Sequence, residues 1–310
     1  MNILITCPRF ESHIQPLETK LEECNIEYKL TFKVPSDQFF TESELINLGS
    51  EFTHVVVGDD IVDKEFIDKN INLQHLIKWG SGTDSINKEY LRERKVKFNN
   101  SPENLHIDVA EHAIALILNT LKEINKIDRK IKTGDWYKPT TQRLYGKKIG
   151  VIGYGKIGRQ LVNILNAFNV SITIYDPNIT NAIDTQVKIA DSVDDLLIES
   201  NIIIVCASLN DSTINLLNIN NLKLVQEGSF LINVSRGKII DESSLVVLSK
   251  EGKLKGLGLD VFIHEPPDSN SDIFDLENTV FTSHNASSTL QANNEVNKKI
   301  IELLIGEFNG

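Results

Sequence analysis

The sequence predicts an α/β protein built from two doubly wound parallel-sheet domains. Three observations lead there. Short β-rich runs alternate with segments of helical period along nearly the whole chain, a glycine-rich turn joins one strand directly to a helix near the middle, and a long helical stretch separates the two series of strands. Strands separated by helices cannot pair as hairpins, so they imply parallel sheets covered on both faces. A chain of 310 residues has room for two such domains.

In the first hundred residues, strands are expected at 2–6, 28–33, 54–57, 73–78 and 96–98, where β-branched and other apolar residues cluster. Between them, the segment 41–48 carries Thr41 followed by Glu44, the spacing of a capping box. From residue 102 to about 132 the pattern is one long helix, with Leu105, Val109, Ala113, Leu116, Ile117, Leu121 and Ile124 at helical spacing and no Gly or Pro before Gly134. A helix of that length crosses or joins domains, and it marks the expected boundary. Six further β-rich runs follow, at 148–152, 171–175, 202–206, 229–234, 256–261 and 279–283, with helices at 157–168, 192–199 and 242–251. The last of these has Asp241 as N-cap and Gly252 just past its end. Six parallel strands with crossovers is the strand count of a dinucleotide-binding Rossmann sheet. A final helix is expected over about 289–305.

The balance of 43 acidic against 32 basic residues, a formal charge of -11, argues against nucleic acid or an anionic membrane as the main partner. A negatively charged small ligand would have to be held by a few placed cations or amides. Hydrophobic content of 41% and charged content of 24% suit a folded chain with sizeable cores. Cys7, Cys24 and Cys206 lie far apart with no CxxC spacing and read as reduced thiols of a cytoplasmic protein. The opening MNILITCPRF has a short apolar run and no basic flank, as a strand has and a signal peptide has not. The apolar segment near residues 113–118 is interrupted well before membrane-spanning length, so no membrane partner is expected.

The strongest local signal is the G-x-G-x-x-G turn of Gly153, Gly155 and Gly158, which follows a strand and opens a helix. Gly153 would make the tight turn, Gly155 would let the backbone approach a pyrophosphate, and Gly158 would let helix and strand pack closely. The free amides at the helix start, from Lys156 and Ile157, would hold the anion. Asp176 ends the next strand, 18 residues after Gly158, where a carboxylate can bind both ribose hydroxyls. Because that carboxylate repels a 2′-phosphate and no Arg follows in the stretch 177–180, NAD is favoured over NADP as cofactor.

Beyond the ends of later strands lie three more elements. Arg236, after an apolar strand, can meet a carboxylate with two charge-assisted hydrogen bonds. Asp260 and Glu265 follow the next strand and His284 follows the last. A carboxylate hydrogen-bonded to an imidazole orients it and favours its charged form, and such a histidine can give a proton to a carbonyl oxygen or take one from a hydroxyl. That chemistry suits a ketone and alcohol pair. His264 competes for the role, but its neighbour Glu265 would then point elsewhere, so His284 is preferred. His106 and His112 on the long helix are six residues apart and on different faces, and neither HExxH nor a cysteine cluster is present, so no metal is assigned.

Taken together these segments resemble the D-isomer-specific 2-hydroxyacid dehydrogenase family, which includes phosphoglycerate dehydrogenases and glyoxylate or hydroxypyruvate reductases. The resemblance covers essentially the whole chain and is carried by Gly80-Ser-Gly82-Thr-Asp84, Val109-Ala-Glu111, the Gly153 to Gly158 turn, Ser235-Arg236-Gly237, Asp260 with Glu265-Pro-Pro267, and His284 followed by Ser288-Thr289. It implies a flavodoxin-like substrate domain, discontinuous over 1–101 and 284–310, and a Rossmann NAD-binding domain over 102–283. It implies a catalytic triad in which Arg236 binds the substrate carboxylate and Glu265 supports His284 as acid and base. It further implies that backbone amides of Ser81 and Gly82 bind that carboxylate, that Asp260 contacts the nicotinamide carboxamide, and that a small 2-hydroxy or 2-oxo acid lies in a cleft between the domains. The segment Gly134-Asp-Trp136-Tyr137 falls where relatives place a dimer arm, which implies a homodimer.

Two positions depart from the family pattern. Trp79 precedes Gly80 where a smaller or polar residue is commoner, and Ala207-Ser-Leu209 stands where a proline is usual. Trp79 would either narrow a pocket or pack in a core, and Arg9 would either reach the far end of a substrate or stay solvated. Other functional readings of the same motifs are an NADH-sensing corepressor-like binding protein and a formate dehydrogenase. Relatives of the latter carry Gln beside the histidine, and oxidation of formate needs no proton abstraction.

Overall fold

The computed structural model describes residues 1–36, 39–179 and 187–306. The chain divides into two compact units, one running to Leu105 and resumed from Ser288, the other spanning His106–Ser287. These divisions fall a few residues later than 101/102 and 283/284. Leu105 packs in the first unit's core with Ile3 and Phe10, and the chain rejoins that unit at Ser288, next to Thr289, the N-cap of the last helix.

The first unit has five strands, β1 (Asn2–Ile5), β2 (Lys29–Phe32), β3 (His54–Val57), β4 (His75–Trp79) and β5 (Lys97–Ser101), in the order β2-β1-β3-β4-β5. All pairings are parallel. This is the flavodoxin-like order, and it reverses direction between β1 and β3, where such sheets open a crevice at their carboxyl ends. Helices α1 (Ile14–Glu23), α2 (Glu42–Asn47), α3 (Lys64–Lys69) and α4 (Lys88–Glu93) connect the strands. The capping box at Thr41 is formed, its hydroxyl and the Glu44 carboxylate each serving the other's backbone amide. Alternation along β1 sends Ile3 and Ile5 to one face and Leu4 to the other, so the sheet is buried on both sides. Each such buried aliphatic side chain contributes roughly 1.5–3 kcal/mol.

The segment read as one long helix is two, α5 (Leu105–Lys122) and α6 (Ile124–Lys132). Glu123 between them has a left-handed backbone, φ +52°. Asn119 and Asn125 close the break: the Asn119 carboxamide donates to Asn125 Oδ1 (2.9 Å) and accepts from the Asn125 amide (3.0 Å). No glycine or proline marks this break.

The second sheet is also parallel but has, among the described residues, seven strands, one more than the six expected: β6 (Lys148–Ile152), β7 (Ser171–Tyr175), β8 (Val187–Ile189), β9 (Ile202–Val205), β10 (Ser229–Asn233), β11 (Leu254–Leu259) and β12 (Thr279–Phe281). Their order is β12-β11-β10-β9-β6-β7-β8, the doubly wound Rossmann arrangement with β12 added at one edge. The extra strand is β8, three residues at the sheet's edge paired with β7, too short to show a period. Helices α7 (Lys156–Leu165), α8 (Val193–Glu199), α9 (Ile219–Leu222) and α10 (Glu242–Lys250) form the crossovers. The closing helix α11 (Leu290–Ile305) belongs to the first unit, where Val296, Ile300 and Leu304 pack with Ile3, Ile5 and Ile77.

Asp241 caps α10 as expected, accepting from the Ser243 amide (3.3 Å) and from the hydroxyls of Ser243 and Ser244. The hydrogen bond from Ser244, then burial set against further bonds from Ser243, leaves its carboxyl below the ordinary value. A depressed carboxyl stabilises the fold above the unfolded-state value and loses that contribution as pH falls through the folded one. Asp241→Ala is therefore expected to cost about 1 kcal/mol at pH 7, and chemical denaturation across pH should show the difference from wild type vanishing in strong acid.

Candidate active site

The glycine turn lies between β6 and α7 in the second unit. Gly153 takes φ +93°, and a Cβ there would stand 2.6 Å from the Ala207 amide nitrogen. At Gly158 a Cβ would stand 2.2 Å from the Gly153 carbonyl oxygen, so only glycine lets α7 start against the strand. A Cβ on Gly155 would meet nothing within 4 Å. The three glycines thus divide the work: two allow close packing, and the middle one faces open space in front of the first amides of α7, those of Lys156 and Ile157. Asp176 follows β7, the neighbour of β6, and its carboxylate accepts from the Tyr154 amide (2.9 Å) and the Asn178 amide (3.0 Å). That brings the acid to the turn. Amides, open volume and carboxylate together fit a dinucleotide, with the pyrophosphate on the helix start and a ribose on Asp176.

Three loops at the carboxyl ends of β10, β11 and β12 carry Arg236, Glu265 and His284. Asn233, buried at the end of β10, shapes the first. Its side chain accepts from the Ser235 amide (3.0 Å) and donates to the Arg236 carbonyl (3.0 Å). The Ser235 hydroxyl donates to the Ala207 carbonyl, and the Arg236 guanidinium to the Ser235 carbonyl (2.7 Å). Gly237 lets this loop press on the next, since a Cβ would stand 1.9 Å from the Phe262 carbonyl carbon. The second loop is tied in turn by the Ile263 amide, which donates to Glu242 (2.6 Å).

Glu265 bridges the second and third loops. One carboxylate oxygen accepts from the Phe262 amide (3.0 Å), and the other lies 2.7 Å from His284 Nδ1. Because a carboxylate only accepts, Nδ1 carries hydrogen and Nε2 is the ring atom left for exchange. Side-chain exposures of 22% for His284 and 18% for Glu265 leave the pair partly sheltered yet reachable. His264, the rival, is exposed.

His284 itself has φ +49°, unusual for any residue but glycine. Asp260, 1% exposed at the end of β11, holds it there. The Asp260 carbonyl accepts from the His284 amide (2.8 Å), and its carboxylate accepts from the amides of Asn285 (3.0 Å) and Ala286 (3.1 Å) and the hydroxyl of Thr282 (2.7 Å). These partners make Asp260 an anchor of the His284 loop. His112, set aside above, reaches this network from α5: its Nε2 is 3.0 Å from Thr282 Oγ1 and 3.5 Å from Asp260 Oδ1. Only a contact across the fold, invisible to spacing along α5, reveals it.

In the first unit, Ser81 and Gly82 lie in the turn after β4, which Gly80 opens with φ +101°. Trp79 packs in the core, 1% exposed, with its indole donating to Asn297 Oδ1 (2.8 Å). The same Asn297 donates to the Arg9 carbonyl (2.7 Å), and the Arg9 guanidinium stacks 4.7 Å from the Trp79 ring. The buried Lys78 ammonium meets Asp59 (3.1 Å) and the Trp79 carbonyl (2.8 Å), a pair flagged in sequence only by a lysine inside an apolar strand. Burial pushes the neighbouring Cys7 thiol up to about 12. Among the described residues no three His, Cys, Asp or Glu side chains are grouped to hold a metal ion, and no helix is long and apolar enough to cross a membrane.

Residues 114–286 match the family model described as D-isomer specific 2-hydroxyacid dehydrogenase, NAD binding domain, so NAD is the cofactor of this unit. The chain is 32% identical over 275 residues to a D-3-phosphoglycerate dehydrogenase of Archaeoglobus fulgidus, covering 87% of this chain and 52%, about half, of that protein. It is 30% identical over 261 residues to a glyoxylate reductase of Pyrococcus furiosus, covering 81% of this chain and 77% of that one. A D-lactate dehydrogenase from Aquifex aeolicus, solved with NAD and lactic acid, superposes with a TM-score of 0.87 over 100% of this chain and 96% of its own at 22% identity, a likeness of fold alone. On the glycine turn, the matched family model and the relatives' similarity, the chain belongs to the D-isomer-specific 2-hydroxyacid dehydrogenase family.

Proposed function

We propose that this protein is an NAD-dependent oxidoreductase acting on the CH-OH group of a small D-2-hydroxy acid, or in reverse on the 2-oxo acid. The names of its relatives, which include D-3-phosphoglycerate dehydrogenase, glyoxylate reductase and hydroxypyruvate reductase, supply the candidate substrates. The observation that carries the reading is the 2.7 Å hydrogen bond between His284 Nδ1 and Glu265. It leaves Nε2 as the proton-exchanging atom.

When bound, NAD would supply a hydride donor or acceptor at C4 of its pyridine ring. Reduction of a ketone then requires a proton at the carbonyl oxygen, which the doubly protonated His284 gives from Nε2. In the other direction neutral His284 takes the hydroxyl proton at the same atom. Glu265 keeps the ring oriented through Nδ1–H in both directions. Arg236 clamps the substrate carboxylate with its guanidinium, and Ser81 and Gly82 offer backbone amides as further substrate donors. The amides of Lys156 and Ile157 would hold the pyrophosphate at the turn that Gly153, Gly155 and Gly158 shape, Asp176 would hold the ribose, and Asp260 would contact the nicotinamide carboxamide. The His284–Glu265 pair favours proton transfer, which neither formate oxidation nor NADH sensing needs.

We also propose a cytoplasmic homodimer. Cys7, Cys24 and Cys206 are free thiols. Helix α6 buries none of its residues, and Ile124, Ile131, Trp136 and Tyr145 are exposed, Trp136 at 84%. An apolar set of this kind marks an association surface.

His284→Ala and Arg236→Ala are each expected to lower kcat/KM by about two orders of magnitude or more, the first from lost proton transfer and the second from lost carboxylate binding. The measurement is NADH oxidation with hydroxypyruvate, glyoxylate, pyruvate and 3-phosphohydroxypyruvate; binding of NADH with negligible turnover on all of them would point to the sensor reading instead. Asp176→Ala is expected to narrow the preference for NADH over NADPH by about tenfold, through loss of repulsion at the 2′-phosphate. Light scattering should give a particle twice the 34.9 kDa chain mass, and Ile124→Glu with Ile131→Glu should halve it.

A further inference from the structure

His112 comes from a helix that carries none of the residues assigned above, yet it ends within reach of the anchor beneath His284. The protons in that network can be placed by counting donors. Thr282 has one hydroxyl hydrogen, and at 2.7 Å from Asp260 Oδ1 it is committed to that carboxylate, which can only accept. Its oxygen can therefore only accept from His112, 3.0 Å away, so His112 Nε2 must carry the hydrogen. A directed chain results: His112 Nε2–H to the Thr282 oxygen, Thr282 O–H to Asp260 Oδ1, and Asp260 in turn holding the amides of Asn285 and Ala286 through its carboxylate and that of His284 through its carbonyl.

Each link has a directional consequence. Thr282 lies two residues before His284, immediately after β12, and rotation about its Cβ–Oγ1 bond sets where its hydroxyl hydrogen points. A donor on the far side of that oxygen leaves one favourable setting, with the hydrogen toward Asp260. Without that donor the hydroxyl can rotate, and Asp260 Oδ1 keeps only the Asn285 amide and its more distant electrostatic contact with His112 is gone as well. The loop that Asp260 then holds less firmly is the one carrying a non-glycine residue at φ +49°, a conformation that persists only where its surroundings over-determine it.

We propose that His112 and Thr282 are positioning residues for His284: by donating through the Thr282 hydroxyl, His112 fixes the Asp260 carboxylate that keeps the His284 backbone in its left-handed conformation and its ring on Glu265. The proposal rests on the reading of His284 as the acid and base. It extends that reading to a helix more than a hundred residues away in sequence, and it explains a histidine for which no metal or substrate role is otherwise evident.

The test has two arms. In the first, [15N]histidine NMR of the wild-type protein, at a pH high enough for the rings to be neutral, should show the His112 proton on Nε2 and the His284 proton on Nδ1; a His112 proton on Nδ1 would overturn the proposal whatever the enzyme's substrate. In the second, His112→Leu, His112→Gln, Thr282→Val and Thr282→Ser are assayed with NADH and hydroxypyruvate. His112→Leu and Thr282→Val should each lower kcat about tenfold, because a displaced proton donor costs rate more than binding. KM for hydroxypyruvate and Kd for NADH should change less than about twofold by the same argument. His112→Gln, whose amide can still donate, and Thr282→Ser, which keeps the hydroxyl, should recover most of kcat. The double variant His112→Leu, Thr282→Val should be no slower than either single one, since both cut the same chain. Unchanged kcat in His112→Leu, a glutamine no better than leucine, a loss confined to KM or Kd, or additive effects in the double variant would each refute the positioning role. If wild type turns over no 2-oxo acid, the functional reading fails while the first arm still decides the hydrogen-bond chain.

Discussion

A carboxylate buried where the second sheet ends is the constraint on which the candidate site depends. Taking Asp260 out of water costs several kcal/mol, and only well-aligned donors offset that cost. Thr282, Asn285 and Ala286 supply them, and the Asp260 carbonyl takes the His284 amide. The same bonds that satisfy the charge prescribe the path of the chain from Thr282 to Ala286. A loop with no regular structure therefore has little freedom, and an imidazole is held at an orientation that its own φ would otherwise disfavour by about 1–3 kcal/mol. Burial of the acid and strain at the histidine offset one another.

The sheet topology explains why the other groups lie at the same end. All strands of the second unit run parallel, so every loop that follows a strand emerges at one end of the sheet, and β6, β7, β10, β11 and β12 each deliver one chemical element there. Close approach does the remaining work. Gly158 sets α7 against the β6 turn and Gly237 sets the Arg236 loop against Phe262, and in each case a methyl group would overlap backbone atoms. Backbone contact is stiffer than side-chain contact, so these glycines fix distances that a larger residue could only approximate.

Most of the strands were legible from sequence because buried parallel strands read as continuous apolar runs, as Ile202–Val205 and Ser229–Asn233 do. The glycine turn was legible because its spacing encodes three separate steric demands. What escaped had no local signature. Strand β8 is only three residues long, and the α5–α6 break uses Glu123 and a reciprocal Asn119–Asn125 pair in place of Gly or Pro. Asp260 and Glu265 look alike in sequence, both acids following one strand, yet the fold buries one as an anchor and leaves the other at the imidazole. Spacing along α5 relates His112 to His106, whereas its partner Thr282 lies far off in sequence, just past β12. The core position of Trp79 depends on Asn297, more than two hundred residues on, which accepts its indole hydrogen and has no signature near Trp79 in sequence.

The overall charge of -11 bears on the proposed anionic substrate less than it first suggests. At physiological ionic strength the Debye length is about 8 Å, so acidic side chains spread over the surface are largely screened from a point in the site. A guanidinium in direct, bidentate contact acts at hydrogen-bonding distance, and amides at a helix start add fixed partial charge that needs no counterion. The carboxylates nearest the chemistry are also occupied. Glu265 is engaged by His284 and the Phe262 amide, Asp260 by the donors around it, and Asp176 by the amides of Tyr154 and Asn178. An acid whose lone pairs already accept hydrogen bonds presents a weaker field to an incoming anion than the same acid exposed. Selectivity for a carboxylate ligand in an acidic protein thus follows from the few charges that act at short range, not from the sum over the chain.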